Sequence, residues 1–191
     1  MNVLVLNQWN VFPPATGGAH AVYELCSGIS RNHDCTLACL DESVGDTVFE
    51  KISDSFTLAR LPAKSLRDKC LRFLVPNILF KNNAVKLSLR SRFSVELREK
   101  INALAQTADV IVVAHPWVWP LLRNVDGWKN KPLVYDAHNV ETQLAEQNSR
   151  PGLEKLLHAR VVKMIESELC RRADLILCCS DEDKSEFSER F

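Results

Sequence analysis

Apolar positions along the chain follow two spacings that alternate from one end to the other. Six short runs are apolar almost throughout, as in strands buried on both faces, and they cover residues 1–8, 35–41, 56–61, 109–114, 132–137 and 174–179. Between these runs, apolar residues recur every three or four positions, which predicts helices within residues 19–29, 89–104, 153–169 and 181–190. This alternation predicts an α/β fold: a three-layer sandwich with a mostly parallel sheet and helices on both faces.

The composition is typical of one folded domain spanning residues 1–191. Of the 191 residues, 46% are apolar and 25% are charged, and the formal net charge is zero. Such a balance gives no general attraction to nucleic acid, and no apolar run approaches the roughly 18 to 20 residues of a membrane-spanning helix. The start of the chain has neither a basic leader nor a cleavage site, so we expect a cytoplasmic protein.

Charge is unevenly distributed despite the neutral total. Residues 60–100 contain eleven basic and three acidic side chains, a local charge of +8, whereas residues 1–59 contain two basic and seven acidic ones. Apolar residues are interleaved with cations such as Arg67, Arg72 and Lys81. Three interpretations stay open: solvated faces of ordinary helices, a surface for an acidic acceptor, or peripheral contact with the anionic inner face of a membrane. The irregular pattern does not indicate nucleic-acid binding.

The loops after the strands are the candidate site, because ligands of parallel sheets bind at the carboxyl ends of the strands. After the first strand, Gly17 and Gly18 open a helix, which suits a phosphate or diphosphate, although a tight helix entry also favours glycine. Their spacing is not a dinucleotide-binding fingerprint. After the fourth predicted strand, His115 is expected at the rim of the crevice. Trp117 offers a flat face for a sugar or base, whereas Trp119 is expected to pack under the next helix.

Polar residues also follow the fifth and sixth predicted strands. Asn139 is expected to cap a helix and Glu141 to lie in its first turn, where a carboxylate favours the helix dipole. Capping does not explain Asp136 and His138, so these two are stronger candidates for lining a cleft. Ser180 precedes three acidic residues, as at a helix N-terminus, and it also lies at the candidate edge.

The seven cysteines do not indicate a metal site. Cys35 and Cys39 share a strand face but lie four residues apart, roughly 13 Å at the strand rise, which is too far for one ion. Cys178 and Cys179 are neighbours in a strand and point to opposite faces. We therefore expect reduced, buried thiols and no metal.

Taken in order, these motifs resemble the N-terminal, acceptor-side domain of a retaining glycosyltransferase of family four. The matching stretches read PATGGA at 14–19, ADVIVVAHP at 108–116, VYDAHNVE at 134–141 and ELCRRADLILCCS at 168–180. Residues 41–108 carry little of the resemblance. It implies a Rossmann-like domain that forms one half of the two-domain GT-B fold.

The resemblance implies transfer of a sugar, with retention of its anomeric configuration, from a nucleotide-diphosphate sugar to a glycan or lipid-linked acceptor, as in polysaccharide biosynthesis. Gly17 and Gly18 would lie near the donor diphosphate, and His115 and His138 would be the catalytic residues facing the transferred sugar. The polar residues within 136–141 would line the cleft. No cofactor and no metal are expected, since such enzymes stabilise the leaving diphosphate with basic side chains and helix N-termini.

The family's donor-binding domain has no counterpart in residues 1–191, because neither an Asn-Gly-Val-Asp turn nor a Glu-x7-Glu spacing follows the last strand. We expect that domain in cis or on a separate subunit, and we expect this chain alone to be inactive. Two alternatives stay open. One is half of a nucleotide-sugar epimerase, which would use Asp136 or Glu141 to move a proton. The other is a non-catalytic module that docks to a polysaccharide or membrane.

Overall fold

The computed structural model describes residues 1–63, 85–86, 89, 93–148 and 153–191. Seven strands lie in these residues: β1 Asn2–Asn7, β2 Asp34–Asp41, β3 Val48–Ser53, β4 Phe56–Pro62, β5 Val110–Val113, β6 Leu133–Ala137 and β7 Leu175–Cys178. They form one sheet in the order β3-β4-β2-β1-β5-β6-β7. Every neighbouring pair is parallel except β3 and β4, so the predicted mostly parallel sheet is confirmed.

Helices cover both faces of this sheet. In the described residues they are α1 Gly17–Ser30, α2 Val95–Thr107, α3 Trp119–Leu122, α4 Glu141–Asn148, α5 Leu153–Arg172 and α6 Asp181–Arg190, and a 3₁₀ turn at Pro116–Val118 precedes α3. On one face α1 packs against the strands, and on the other face α2, α3, α5 and α6 share a second core. The three-layer arrangement is therefore confirmed.

Strand β1 shows why its sequence is apolar without alternation. Leu4 and Leu6 lie in the core beneath α2 and α5, while Val3 and Val5 lie in the core beneath α1. All four side chains are buried, each with a stabilising effect of about 1.5–3 kcal/mol. A central strand of this sheet can therefore carry no polar face.

Three features of the fold depart from the sequence pattern. The run at residues 174–179 was expected to be buried on both faces, but β7 lies at the edge of the sheet, and Leu175 and Leu177 are exposed. Strand β3 is not predicted, because its side chains are mostly exposed and it lies at the edge of the sheet. The helix predicted from residue 89 onward has its boundary later, since Ser94 caps α2 by accepting from the Leu97 amide at 3.3 Å. Phe93 therefore precedes the helix, and its side chain is exposed.

The order of the strands places a crevice beside β1. From β1 the chain moves outward to β2 on one side, and it later returns to β5 on the other side. Such a reversal leaves space at the carboxyl ends of the two central strands, and ligands of open α/β sheets bind there. The loops after β1, β5 and β6 are therefore the part of the fold that can hold a ligand.

The basic segment contributes little to the described structure, since Arg67, Arg72 and Lys81 lie outside the described residues. Its first cation, Arg60, is held in β4 by carboxylates at 3.8 Å in Asp41 and 3.7 Å in Glu50. None of the helices within the described ranges has the length and apolar character needed to span a membrane.

The cysteines in the described residues are free thiols. Cys26, Cys35 and Cys39 are buried, as expected, and burial raises the pKa of Cys39 to about 12. Cys179 is exposed instead, because it follows β7 at the edge of the sheet. Cys170 and Cys178 are half-buried, so the expectation of a buried thiol is wrong at Cys179 and only partly met at these two.

Candidate functional site

Two histidines from neighbouring strands stack at the carboxyl edge of the sheet. His115 follows β5 in extended backbone conformation and is held there by the Pro116 turn, while His138 directly follows β6. Their ring centroids lie 4.6 Å apart with planes inclined by 24°. Their side chains are only 11% and 10% exposed, so a ligand can reach a small part of each ring.

Trp9 is the aromatic neighbour of this pair, and sequence reasoning missed it. It follows β1, its ring centroid lies 5.4 Å from that of His115, and the residue is 42% exposed. An exposed indole beside a binding crevice offers a flat apolar face to a sugar ring or base. The available signal was its position directly after a buried strand, the same signal that marked His115.

Asp136 orients His138. The Nε2 atom of His138 lies 3.2 Å from Oδ2 of Asp136, and because a carboxylate only accepts, Nε2 carries the hydrogen. Both side chains project from the end of β6 on the side opposite the buried Tyr135 and Ala137. In a neutral His138 ring, this pairing makes Nδ1 the acceptor nitrogen.

His115 is held in its neutral form. Burial lowers its pKa from 6.5 to about 4, with a further contribution from His138, while Asp136 acts in the opposite sense. Its Nδ1 lies 3.9 Å from Oε1 of Glu141, but a neutral imidazole forms no ion pair with that carboxyl group. At neutral pH His115 therefore acts as a hydrogen-bonding group and not as a cation.

Glu141 is the first residue of α4 and carries a perturbed carboxyl group. Burial and the charge of Glu166 raise its pKa from 4.5 to about 7, whereas His138 and a hydrogen bond with the Asn139 side chain lower it. A carboxyl group with a pKa close to the working pH can both give and take a proton. The site therefore contains an acid–base group beside two aromatic rings.

The predicted cap of this helix is wrong. The amides of Glu141 and Thr142 donate to the carboxylate of Glu166 in α5, at 2.9 and 2.8 Å. The side chain of Asn139 forms a hydrogen bond with the Glu141 carboxyl group instead of capping the helix. Sequence reasoning missed Glu166 and Thr142 because they lie 24 residues apart along the chain. One signal was present: Glu166 falls at helical spacing between Val162 and Leu169, which are buried.

Gly17 and Gly18 do open α1, as predicted. Thr16 caps the helix by accepting from the Ala19 amide at 3.3 Å, and the first amides of a helix have no partner within it. A Cβ atom added to either glycine would meet no atom within 4 Å, and neither has a positive φ. The fold therefore does not require glycine at either position.

The structure does not place Trp117 in the crevice. Its side chain is 4% exposed and packs against Val85, Ala145 and Val162, since the 3₁₀ turn after His115 directs it toward α4 and α5. The interpretation of Trp117 as a flat binding face is therefore wrong. Trp119 packs in the core against Trp128, with ring centroids 5.2 Å apart, which confirms its predicted structural role.

Ser180 acts as a helix cap. Its Oγ accepts from the Asp183 amide at 3.0 Å and begins α6, as the acidic motif indicated. It also lies in a groove of about 440 Å³ at the carboxyl end of β7, two strands away from His115 in the sheet. Capping accounts for this residue, and it does not join the stacked histidines.

A larger groove of about 880 Å³ lies near Pro132 and Asp174, where β6 and β7 begin. It is therefore at the amino ends of the strands, on the opposite side of the sheet from the stacked histidines. Two of its cations are bound within the fold. Arg123 pairs with Glu168, and the Lys131 ammonium donates to the carbonyl oxygens of Ala105 and Gln106, both at 2.6 Å. In the part of the chain that the structure describes, no cluster of three or more His, Cys, Asp or Glu side chains could hold a metal ion.

Comparison with known proteins identifies both family and fold. The model of Glycosyltransferase Family 4 matches residues 15–191. A structure described as trehalose-6-phosphate from E. coli bound with UDP-2-fluoro glucose is 16% identical with a TM-score of 0.50, and the OtsA apo structure is 18% identical with a TM-score of 0.55. The alignments cover 100% and 99% of this chain but 42% of each solved chain, so this chain spans less than half their length. No curated protein sequence matches.

Proposed function

Because the chain belongs to glycosyltransferase family 4, we propose that it forms the acceptor-side domain of a retaining glycosyltransferase. The whole protein would transfer a sugar from a nucleotide-diphosphate sugar to a glycan or lipid-linked acceptor. The observation that carries the proposal is the stacked pair His115 and His138, enclosed at the crevice beside β1 and next to the exposed ring of Trp9.

In this proposal the start of α1 binds the donor diphosphate. The free amides at Gly17 and Gly18 and the positive end of the helix dipole attract an anion, and the open space at both glycines lets phosphate oxygens come close to the backbone. The charge that develops on the leaving diphosphate would be stabilised by these donors without a metal or cofactor.

The two histidines would contact the sugar being transferred. His115 is neutral, so it exchanges hydrogen bonds with sugar hydroxyls without bringing a positive charge to the reacting carbon. His138 is fixed by Asp136, so its ring presents one nitrogen in a constant direction. Glu141 and Asn139 would complete the wall of the cleft beside them.

The remaining parts of the proposed enzyme lie outside this chain. Since the chain spans 42% of the length of the solved structures it matches, a donor-binding domain in cis or on a separate subunit would supply the nucleotide site. Residues 1–191 alone would then bind ligands without turnover. We also propose a cytoplasmic enzyme whose basic segment, including Arg67, Arg72 and Lys81, touches an anionic membrane or an acidic acceptor.

The proposal is tested by Gly18→Ala in the chain joined to its donor domain. The added Cβ has free space, and alanine favours a helix over glycine, so the variant should fold with equal or slightly higher stability. Its methyl group, however, should block close approach of a diphosphate. We expect the KM for the donor to rise at least about tenfold, the equivalent of one lost charge-assisted hydrogen bond. The assay measures release of nucleoside diphosphate from a panel of UDP- and GDP-sugars.

Gly28→Ala is the matched control. Gly28 lies near the other end of α1, and its added Cβ also meets no atom within 4 Å. The control should gain up to about 1 kcal/mol of stability from helix propensity and keep the parental KM. The diphosphate site is wrong if the two variants have the same KM, and the glycosyltransferase proposal fails if no sugar nucleotide in the panel is consumed.

A nucleotide-sugar epimerase is the second candidate, and the perturbed carboxyl group of Glu141 favours it. A pKa of about 7 suits a base that removes a proton from a sugar carbon. This reaction needs no acceptor. Conversion of a nucleotide sugar in the absence of acceptor, without release of nucleoside diphosphate and lost in Glu141→Gln, would favour the epimerase.

A further inference from the structure

Glu166 lies beneath the candidate site on a different helix from the residues that line it. It belongs to α5, and its side chain is completely buried under the start of α4. We propose that Glu166 is a positioning residue of the site: its carboxylate holds the first turn of α4 and thereby places Glu141 beside His115. The placement of Glu141 by Glu166 does not depend on the proposed function, and only the effect of this placement on sugar transfer rests on that function.

Four donors converge on this single carboxylate. On Oε1 it accepts from the Glu141 amide at 2.9 Å and from the Tyr135 hydroxyl at 3.2 Å. On Oε2 it accepts from the Thr142 amide at 2.8 Å and from the Thr142 hydroxyl at 2.5 Å. The carboxylate thus ties β6, α4 and α5 together at one point.

An ionised carboxyl group satisfies this arrangement in full, because a carboxylate has two oxygens that accept without donating. The two backbone amides can only donate, whereas the Tyr135 and Thr142 hydroxyls can donate or accept. Burial raises the pKa of Glu166, and these four hydrogen bonds act in the opposite sense. A glutamine would have one accepting oxygen and would turn its NH₂ group toward the donors on the other side. The negative charge also lies against the N-terminus of α4, where the helix dipole favours it.

The same carboxylate acts on Glu141. The amide of Glu141 is fixed by Glu166, while its own side chain reaches within 3.9 Å of His115 Nδ1. Other titratable groups face this pair from the neighbouring elements: Tyr135, Asp136 and His138 of β6 and its loop, and Cys170 one turn further along α5. The charge of Glu166 raises the pKa of Glu141, so removing that charge should lower the pKa of Glu141.

The test replaces Glu166 by glutamine in the chain as it stands. Amide hydrogen exchange of Glu141 and Thr142 should accelerate at least about tenfold, because their acceptor is lost. The titration midpoint of the Glu141 carboxyl carbon, followed by NMR, should move toward its ordinary value. A residue that only supported the fold would lower the melting temperature without a selective change at these two amides or in this titration.

Glu168→Gln is the matched control. Glu168 is on the same helix two residues later and pairs with Arg123, away from α4. It should leave both amides within about twofold of the parent. If Glu166→Gln does not fold, Thr142→Val removes only the 2.5 Å hydroxyl bond and should give smaller changes of the same sign.

The outcomes separate the two claims. Unchanged exchange and an unchanged Glu141 titration in both Glu166→Gln and Thr142→Val overturn the positioning role, whatever the activity. If both readouts move as expected but the chain joined to its donor domain consumes no nucleotide sugar, the positioning role stands and the proposed function fails. If the sugar is transferred, kcat of Glu166→Gln should fall more than KM rises.

Discussion

His115 and Glu141 lie side by side with pKa values displaced in opposite senses, and their contributions to acid stability should therefore oppose each other. Replacing one of them by glutamine removes one contribution and uncovers the other. We expect His115→Gln to become relatively more stable than the parent as the pH falls, and Glu141→Gln to become relatively less stable. Each change can be followed in residues 1–191 without any substrate.

The signs follow from proton linkage. The pKa of His115 is about 4 in the folded chain against an ordinary 6.5, so the unfolded chain takes up the proton first. The stability it contributes is present above pH 6.5 and is lost as the pH falls toward 4. The pKa of Glu141 is about 7 against 4.5, so its contribution is fully present below pH 4.5 and is lost as the pH rises through 7.

The magnitude follows from the same displacements. Each pKa differs from its ordinary value by about 2.5, and a pKa difference of 1 corresponds to about 1.4 kcal/mol. Between pH 4.5 and 7.5, each group therefore changes the free energy of unfolding by about 2–3 kcal/mol. Both side chains are less than one-fifth exposed, so solvent screening reduces these values little. In the parent chain the two changes nearly cancel.

Urea denaturation, followed by circular dichroism at four pH values from 4.5 to 7.5, measures the free energy of unfolding of each variant. His20→Gln is the control, since it makes the same change of residue type at an exposed position of α1. The opposed effects of His115 and Glu141 are disproved if the free energies of unfolding of the parent and His115→Gln differ by a constant amount, within about 0.5 kcal/mol, across the pH range. They are also disproved if both variants change in the same direction relative to the parent.

Three further outcomes can be measured. Trp9→Ala in the chain joined to its donor domain should raise the KM for a sugar substrate roughly three- to tenfold, because the flat face of the indole is exposed beside His115. Trp9→Phe keeps a flat ring and should leave the KM unchanged, and equal KM values for the two variants would contradict this role. Ser180→Ala should lower the free energy of unfolding by about 1 kcal/mol in urea, since the cap of α6 is lost, and an unchanged midpoint would argue against the cap. Reversing Arg67 and Arg72 to glutamate should reduce flotation with phosphatidylserine vesicles, and the membrane interpretation fails if the parent does not float or the variant floats equally.

The sheet could be predicted because its central strands are buried on both faces. Runs such as Val110–Val113 are apolar throughout and need no context to be recognised. Strand β3 lacks this signature: four consecutive residues from Val48 are exposed, and only its antiparallel pairing with β4 defines it. Local sequence cannot report a pairing that leaves the side chains in water.

The candidate site could be predicted in position but not in its interactions. His115 and His138 were recognisable because each follows a buried strand, and parallel topology brings such positions together. The contribution of Glu166 was not recognisable, because it reaches Thr142 from 24 residues away. Trp117 is buried although an exposed face was expected, and Trp9, for which no place was predicted, is exposed. A tryptophan after a strand has the same sequence signature whether it turns inward or outward.

Strand β3 also affects how the protein behaves at high concentration. Without it, the edge of the sheet would be β4, whose regular parallel pairing and buried side chains suit addition of a strand from another molecule. With it, the edge carries Glu50 and Lys51 exposed to water, and the register shifts between Lys51 and Ser53. Charged, irregular edges resist strand addition. Strand β3 thus covers one of the two edges of the sheet against strand addition, and the other edge is β7.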